Sequence, residues 1–278
     1  MNRRQWLVLR SNKTALVGGG IVLCFALVAI FADLIATHDP ELRQPDLLSP
    51  PNAEYVLGTD PNGFDVFSRL VYGTRSSLLT ALAAVGLALL VGLPLGLVAG
   101  WRGGWVDSVI MRCVDVLLAF PAVLLAVAIA AALGEPSLTT VVIAVAVVLV
   151  PPFIRQVRAA VLQVKSLDYV TAARALGVPP ARIVFRTVLP NCIAPILVVA
   201  TLGIGIAILD AAGLSFLGLG PPETSPEWGV MLQKAMRYVQ GEEQWIVLPP
   251  GIAISLTVLG FNLFGDGLRD AYDPRQSR

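Results

Sequence analysis

The chain has 278 residues, of which 56% are hydrophobic and only 14% are charged. A soluble domain of ordinary composition is about 25% charged, so this composition excludes a water-exposed surface of the usual kind. The formal net charge of +1 gives no indication of nucleic-acid binding. Long apolar stretches alternate with short segments that hold nearly all of the Lys and Arg, a pattern typical of a chain that crosses a bilayer repeatedly.

Six stretches are apolar and long enough, or nearly so, to cross the hydrocarbon core, which takes about 20 residues of helix. The fourth is the shortest, and its helix can continue past Pro151 and Pro152 where neighbouring helices satisfy the freed carbonyls. We therefore predict an all-α membrane protein with six transmembrane helices. In chain order the stretches are about 14–37, 78–101, 111–134, 137–154, 193–218 and 246–265.

The distribution of Lys and Arg orients these spans. Of the 20 basic residues, 15 lie in the N-terminal segment, the loop between spans two and three, the segment 155–191 and the C-terminal tail. Cytoplasmic loops carry an excess of positive charge, so both termini are predicted to be cytoplasmic. The segments 38–77 and 219–245 then lie outside. Residues 228–239, which begin with Trp228, can form a short amphipathic helix lying on the membrane–water interface.

Two acidic residues lie within predicted spans, where charge is costly. Asp115 follows Arg112 by one helical turn, which favours an ion pair at the membrane edge. Asp210 has no basic residue at helical spacing on its own span. It should therefore face a neighbouring span through a structural hydrogen bond, or a water-filled path or gate. Ser215, further along the same span, is a second candidate path residue.

Glycines recur at helical spacing in two of the spans. Gly92, Gly96 and Gly100 share one face of span two, and span five carries Gly203, Gly205 and Gly213. Such spacing lets helix backbones approach closely. The interpretation is close packing or, alternatively, a smooth interface at which helices slide during transport.

The segment 155–191 is long, cytoplasmic and basic, but it has the pattern of folded structure. Residues 155–176 contain no Gly or Pro and repeat apolar residues at steps of three and four, which predicts one amphipathic helix. Gly177 stands where a helix C-cap belongs, and Pro180 can open a second helix through Phe185. The prediction is a two-helix knob that projects from the membrane and fits a groove of a partner.

This knob resembles the loop with which permease subunits of ABC importers dock on their ATPase. Residues 169–177, Tyr-Val-Thr-Ala-Ala-Arg-Ala-Leu-Gly, followed by Ile183 and Leu189-Pro190, are similar to the family pattern of Glu-Ala-Ala, three residues, Gly, and later Ile-x-Leu-Pro. Thr171 stands where the family usually has Glu. The resemblance implies that the docking residues are Tyr169, Thr171, Ala172, Ala173, Arg174, Leu176, Gly177, Pro180, Arg182 and Arg186.

Further motifs resemble the C-type permeases of the dipeptide, oligopeptide and nickel group. Phe64 stands where that group usually has Arg. The motifs are Leu57-Gly58-Thr59-Asp60 with Gly63, Asp65 and Ser68-Arg69, then Leu214-Ser215-Phe216-Leu217-Gly218-Leu219-Gly220 with Glu227-Trp228-Gly229, and Asn262 to Asp270 with Asp273-Pro274.

The resemblance implies a type I ABC importer permease with an N-terminal part (1–77), a permease core (78–270) and a tail (271–278). It implies a cell-membrane complex with a second homologous permease, two cytoplasmic ATPase subunits and an extracytoplasmic solute-binding protein. The implied cargo is a di- or oligopeptide, with nickel chelates or glutathione as alternatives. The residues expected to dock the binding protein are Asp60, Asp65, Arg69, Glu227 and Trp228.

The chain itself is not expected to be an enzyme. None of its three lysines follows a glycine, so it has no phosphate-binding loop of the Gly-Lys-Ser/Thr kind. The resemblance implies that ATP and Mg²⁺ are bound by the partner ATPases, with no cofactor in this chain. Its single His and scattered Cys favour neither a catalytic base nor a metal site. A gradient-driven transporter is the alternative class, and it would be expected to show inverted repeats, none of which is evident.

Overall fold

A computed structural model gives the fold and describes residue 10 and residues 12–272. Within this range the regular structure is helical, apart from one antiparallel bridge between Thr59 and Asp65. The prediction of an all-α membrane protein is confirmed. Four of the basic residues that orient the spans, and one motif, lie outside the described residues: Arg3, Arg4, Arg275, Arg278 and Asp273-Pro274.

The helices follow one another along the chain with short connections, except in the two outer segments. Two of them continue into other helical turns: α8 runs through a π-helical turn, Val184–Val188, into α9, and α10 ends in a 3₁₀ turn, Met236–Tyr238. The helices are α1 (Lys13–Ile30), α2 (Ala32–Ile35), α3 (Val66–Arg102), α4 (Gly104–Leu118), α5 (Ala122–Leu133), α6 (Leu138–Lys165), α7 (Asp168–Ala175), α8 (Pro180–Ile183), α9 (Leu189–Phe216), α10 (Trp228–Ala235) and α11 (Gln244–Tyr272).

Five helical segments in the described part are long and apolar enough to cross a membrane: α1, α3, α6, the continuous helix of α8 and α9, and α11. The pair α4 and α5 passes the same test only together, and it is bent by 91°. The third span predicted for 111–134 corresponds to this pair, which begins earlier, at Gly104, and is divided by the bend. Pro121 lies at the bend, and a residue that precedes proline is biased away from helical backbone.

The second span begins earlier than predicted. Asp65 caps α3 by accepting a hydrogen bond from the Ser68 N–H at 2.8 Å, so the helix starts at Val66 rather than near 78. Hydropathy missed this first part because its polar side chains are buried by protein. The predicted boundary between residues 77 and 78 falls inside α3 and separates no structural units.

Close packing of α3 against α6 forms the centre of the molecule. A Cβ atom built on Gly92 would lie 2.8 Å from Phe153 Cβ, and one on Gly96 would lie 2.7 Å from Val157 Cβ. A Cβ on Gly100 would lie 2.8 Å from Val161 Cβ. The glycine face of span two is therefore a packing face. In span five, Cβ atoms on Gly203 and Gly205 would lie 3.3 Å from Phe153 and 3.4 Å from Asn262, whereas Gly213 has nothing within 4 Å.

The first and last spans are joined in a similar way. A Cβ on Gly18 of α1 would lie 2.8 Å from the Gly260 carbonyl oxygen of α11 and 2.7 Å from Leu263 Cβ. α11 also packs on α9, where a Cβ on Gly265 would meet Leu202 at 2.7 Å. Small residues thus set the distances between helices on both sides of the bundle.

We expect opposite effects from two alanine substitutions on α3. Gly96→Ala places a methyl group against α6, and overpacking of this kind typically costs about 1–3 kcal/mol. Gly86→Ala adds the same atom in open space, where Ala favours helix over Gly by up to about 1 kcal/mol. The midpoint of thermal unfolding in detergent should fall for Gly96→Ala and stay or rise for Gly86→Ala. Equal midpoints would contradict the packing described here.

Candidate functional sites

The cytoplasmic segment, residues 155–191, is a continuation of two spans. α6 runs through Pro151 and Pro152 to Lys165, as predicted for the fourth span. The single helix predicted for 155–176 is wrong, because the chain breaks at Ser166 and Leu167 before α7. The Ser166 hydroxyl donates to the Gln163 carbonyl at 2.9 Å, a local bond that competes with helix continuation.

The corner of the segment, at Gly177, has the predicted glycine helix end. Gly177 ends α7 with a φ of +72°, in the left-handed region that favours glycine. Its N–H donates to the Arg174 carbonyl at 3.0 Å, and the Val178 N–H donates to the Ala173 carbonyl at 3.1 Å. This is a Schellman-type helix end. Pro180 then opens α8.

Beyond the corner, the second helix is predicted to end at Phe185, but in the structure it continues. α8 passes through the π-helical turn into α9 without a break, and Pro190 is accommodated in the first turn of α9. Residues 180–216 therefore form one helical element. The corner at Gly177 is joined directly to the fifth span.

The segment has a buried face and an exposed face. Val170 and Ile183 are almost fully buried, in an apolar cluster that includes Val157 and Val161 of α6. The exposed face is unusually apolar at its tip, where Leu176 is 83% exposed. An exposed apolar tip of this kind marks an interaction surface. The other exposed docking candidates are Tyr169, Thr171, Ala172, Gly177, Pro180, Arg182 and Arg186, whereas Ala173 is half-buried.

Arg174 makes a contact within the chain. Its guanidinium carbon lies 4.6 Å from the centroid of the Trp101 ring, a cation–π geometry that holds α7 near the end of α3. No local pattern predicts this pair, because the two residues are far apart along the chain. Arg174 therefore differs from Arg182 and Arg186, which make no hydrogen bond, ion pair or ring contact within the described part of the chain.

Two ion pairs tie α4 to α6 at the base of the segment. Arg158 binds both carboxylate oxygens of Asp107, at 2.5 and 2.6 Å. Arg155 binds Asp115 at 2.5 Å. The predicted pairing of Asp115 with Arg112 is thus wrong. The fold brings Arg155 of α6 alongside α4, and Asp115 pairs with it instead of with Arg112 on its own helix.

The five residues expected to dock a binding protein are all buried. None of these side chains is more than 5% exposed, so none is available on this chain's surface as a contact. Arg69 instead donates to the backbone carbonyls of Glu223 and Ser225, both at 2.8 Å. It thereby joins segment 38–77 to segment 219–245. Glu227 and Trp228 also link the two segments, through Ser77 and the Leu70 carbonyl. Asp60 and Asp65 instead accept hydrogen bonds within residues 37–68.

The sequence predicts that the helix beginning at Trp228 lies on the membrane–water interface. This prediction is wrong, because Trp228 packs inside the protein. The indole is fully buried, its N–H donates to the Leu70 carbonyl at 3.1 Å, and its edge meets the Phe25 ring. Gly73 leaves room for it, since a Cβ there would lie 2.7 Å from the indole. α10 is therefore wedged among α3, α9 and α11.

Glu227 is a buried carboxylate at the start of α10. Its two oxygens accept hydrogen bonds from the Gly229 and Val230 N–H groups, both at 3.0 Å, and the Ser77 hydroxyl lies 3.4 Å away. Burial raises the pKa of this carboxyl, and the N–H donors offset only part of that effect.

Phe64 is a functional candidate that the sequence reasoning left unexplained. Its buried ring is approached by three cations: Arg69 at 4.3 Å, Lys234 at 5.1 Å and Arg43 at 5.6 Å from the ring centroid. Burial lowers the pKa of Lys234. An aromatic ring in this place attracts the surrounding cations, whereas the Arg usual in the resembled group would add another positive charge.

The two candidate path residues differ in their surroundings. Asp210 is half-buried on α9 and has no hydrogen-bond partner among the described residues, on a face that also exposes Ile206 and Gly213. Ser215 is buried beside Glu227, and its hydroxyl is among the groups that favour the charged form of that carboxyl. Ser215 therefore does not line a path within this chain. The described residues hold no group of three His, Cys, Asp or Glu side chains arranged for a metal ion.

The helical bundle, its cytoplasmic corner and its outer segments define a multi-span transport permease. Residues 92–278 match the family model described as "binding-protein-dependent transport system inner membrane component". Residues 2–51 match the model for the N-terminal transmembrane domain of oligopeptide transport permease C. The chain belongs to the family of binding-protein-dependent permeases of ABC importers, and it is a multi-pass protein of the inner membrane.

Curated relatives match over nearly the whole chain. The dipeptide transport system permease protein DppC of Alkalihalophilus pseudofirmus is 48% identical and covers 98% of this chain and 90% of the relative. The di/tripeptide transport system permease protein DppC of Pseudomonas aeruginosa is 47% identical, covering 97% and 91%. The glutathione transport system permease protein GsiD of Pectobacterium atrosepticum is 41% identical, covering 98% and 91%.

Solved structures agree on the fold. A chain of the inward-facing MetNI methionine ABC transporter superposes with a TM-score of 0.60 at 19% identity, covering 74% of this chain and 97% of that one. A chain of an amino acid ABC transporter gives a TM-score of 0.51 at 18% identity, covering 72% and 91%. At such low identity the likeness concerns the fold alone.

The buried Glu227 predicts a pH dependence of stability. Its folded pKa is raised above the unfolded value of about 4.3, so the folded state holds the proton more tightly. Its contribution is therefore fully present below pH 4.3 and is lost as the pH rises through the folded pKa. The thermal midpoint of the native chain, relative to that of Glu227→Gln, should increase as the pH is lowered from 8 toward 4.3. A difference that stays constant, or changes in the opposite direction, would refute the assignment.

Proposed function

We propose that this chain is one of two permease subunits in an ATP-driven importer of small peptides. The observation that supports this most strongly is the near full-length similarity to permeases of dipeptide, di/tripeptide and glutathione systems. Glutathione is itself a small peptide, so the three names share one substrate chemistry. ATP and Mg²⁺ are bound by two cytoplasmic ATPase subunits, and an extracytoplasmic binding protein delivers the cargo.

The coupling step begins at the exposed tip of the cytoplasmic segment. The tip around Thr171–Gly177 fits a groove of one ATPase subunit, and Leu176 supplies its apolar contact. When the ATPase subunits close on ATP, the tip moves with its groove. The motion passes into the fifth span, because residues 180–216 are one helix, and into the fourth span through the buried contacts with α6. The chain's contribution is a rigid-body switch.

The second permease subunit covers the face of α9 that carries Asp210. A carboxylate at this depth is costly if it faces lipid, so its face meets protein or a water-filled path. We place the peptide path along this face, between the two permease subunits. Asp210 is suited to attract the ammonium group at the N-terminus of a peptide.

The binding protein docks on the outer surface formed by residues 38–77 and 219–245. The buried residues described above give this surface its shape and are not its contacts. Arg69 is the main link between the two segments. It lies in segment 38–77, at the start of α3, and binds backbone carbonyls of segment 219–245. The exposed residues of these segments provide the contacts.

Substitution at the corner tests the coupling step. Gly177→Val forces a β-branched residue into left-handed backbone, which costs roughly 1–2 kcal/mol and displaces the tip. We expect ATP hydrolysis to persist while dipeptide uptake into proteoliposomes falls. Gly177→Asn, which tolerates this conformation, should retain most of the uptake.

A control separates strain from coupling. Gly134 also has a left-handed backbone, with a φ of +85°, but lies at the end of α5 away from the corner. Gly134→Val should impair uptake less than Gly177→Val. Normal uptake by Gly177→Val would overturn the coupling proposal, and uptake without any ATPase subunit would favour a gradient-driven transporter.

Substitution at Asp210 tests the path. Asp210→Asn keeps the side-chain size and removes the charge, so uptake of a dipeptide should fall roughly tenfold, the value of one charge-assisted hydrogen bond. N-acetylated dipeptide, which lacks the ammonium group, should be affected less. Loss of subunit assembly in this variant would assign Asp210 to the permease interface instead. Unchanged assembly and unchanged uptake would exclude both roles.

A further inference from the structure

A groove of about 510 Å³ lies on the cytoplasmic side, where the end of α3 meets α6, α7 and the start of α8. One part of its wall is cationic and aromatic, formed by Trp101, Arg102, Lys165 and Arg174. The remaining wall is apolar and includes Val178 and Ile183. No acidic side chain lines the groove.

Lys165 is fixed in the wall of the groove by the end of α3. Its ammonium group donates to the Trp101 carbonyl at 2.6 Å and to the Gly100 carbonyl at 3.3 Å. An ammonium group has three N–H donors, so one donor remains for a ligand. The nearby acid is Asp107, whose two oxygens are already bound by Arg158.

The two arginines keep their donors available. The Arg174 guanidinium lies over the face of the Trp101 ring at 4.6 Å, and stacking leaves the N–H edge of a guanidinium free for a planar or phosphate partner. Arg102 is exposed. Neither arginine has an ion-pair partner in the part of the chain that the structure describes. Three cations thus converge on one groove without a neutralising carboxylate.

The position of the groove points to a lipid. It lies where α3 and α6 end on the cytoplasmic side, with Trp101 in its wall and Trp105 exposed just beyond, and tryptophan is typical of headgroup depth. Leu176, which supplies the apolar contact with the ATPase, is about 200° around the helix axis from Arg174, so this contact and the groove are on opposite sides. Basic pockets among span ends on this side of a membrane suit anionic headgroups.

We propose that this groove binds the headgroup of an anionic phospholipid of the cytoplasmic leaflet. The free N–H donors of Arg102, Lys165 and Arg174 bind the phosphate oxygens. The apolar wall takes the glycerol and the first methylene groups, which inorganic phosphate lacks. A bound lipid would offset part of the positive charge of the three side chains and brace α7 against the end of α3. This assignment does not depend on which peptide the importer carries.

The test compares lipid binding by four forms of the full chain, purified within its complex. Bound short-chain phosphatidylglycerol and phosphatidylcholine are counted by native mass spectrometry during titration. The forms are the native chain, Arg102→Gln, Arg102→Lys and the matched control Arg112→Gln, which removes an exposed arginine of α4 outside the groove. Arg102→Gln should weaken phosphatidylglycerol binding about fivefold, the contribution of one basic residue near an anionic surface.

The supporting pattern is preference for phosphatidylglycerol in the native chain, Arg102→Lys and Arg112→Gln, with the loss confined to Arg102→Gln. Equal binding of the two lipids, or equal loss in Arg102→Gln and Arg112→Gln, would overturn the proposal. Displacement of the lipid by inorganic phosphate at equal concentration would assign the groove to a free anion. Lipid binding by the permease that disappears when the ATPase subunits are added would assign it to their docking surface.

Discussion

The close approach of α3 and α6 is the contact on which the rest of the structure depends. Lipid tails are as apolar as leucine, so apolar surface alone does not bring two helices together in a bilayer. Gly92, Gly96 and Gly100 instead allow the α3 backbone to lie directly on the side chains of α6. Since α6 continues without a break to Lys165, this contact also determines where the cytoplasmic segment leaves the membrane.

The two ends of the bundle are stabilised by different chemistry. At the cytoplasmic end, Val170 and Ile183 are buried in an apolar cluster with residues of α6, so apolar contact fixes the segment and leaves its tip exposed. At the outer end, Arg69 is buried, which is costly unless its donors find acceptors. Two backbone carbonyls accept hydrogen bonds from its Nη2, and the guanidinium lies over the face of Phe64. Its Nε and Nη1 have no hydrogen-bond partner among the described residues, so this compensation is partial. A polar network of this kind requires one arrangement of the outer segments, whereas the apolar contacts allow the cytoplasmic tip to adapt to a partner.

The features that the sequence predicted are those with local causes. Long apolar runs predict spans, and the glycine and prolines at 177–180 predict the corner because their backbone preferences are intrinsic. The failures concern contacts between distant residues. Asp115 is bound by Arg155, 40 residues away, and Arg69 binds carbonyls more than 150 residues away. The resemblance implies that the outer residues are surface contacts, but burial by a distant segment is not encoded near the residue itself. The same reason explains why the polar start of α3 was missed.

The continuous helix of residues 180–216 connects the two surfaces to which partners are assigned. Asp210 lies 30 residues from its first residue, roughly 45 Å along the axis at 1.5 Å per residue. A rotation of about 5° at the corner would therefore move Asp210 by roughly 4 Å if the helix stayed straight. The π-helical turn at Val184–Val188 and Pro195 interrupt the regular hydrogen bonding, and bends occur at such points. Because the π turn is packed against α6 through Val184 and Val188, bending there would disturb buried contacts, so the motion is transmitted to Asp210 more readily than it is absorbed.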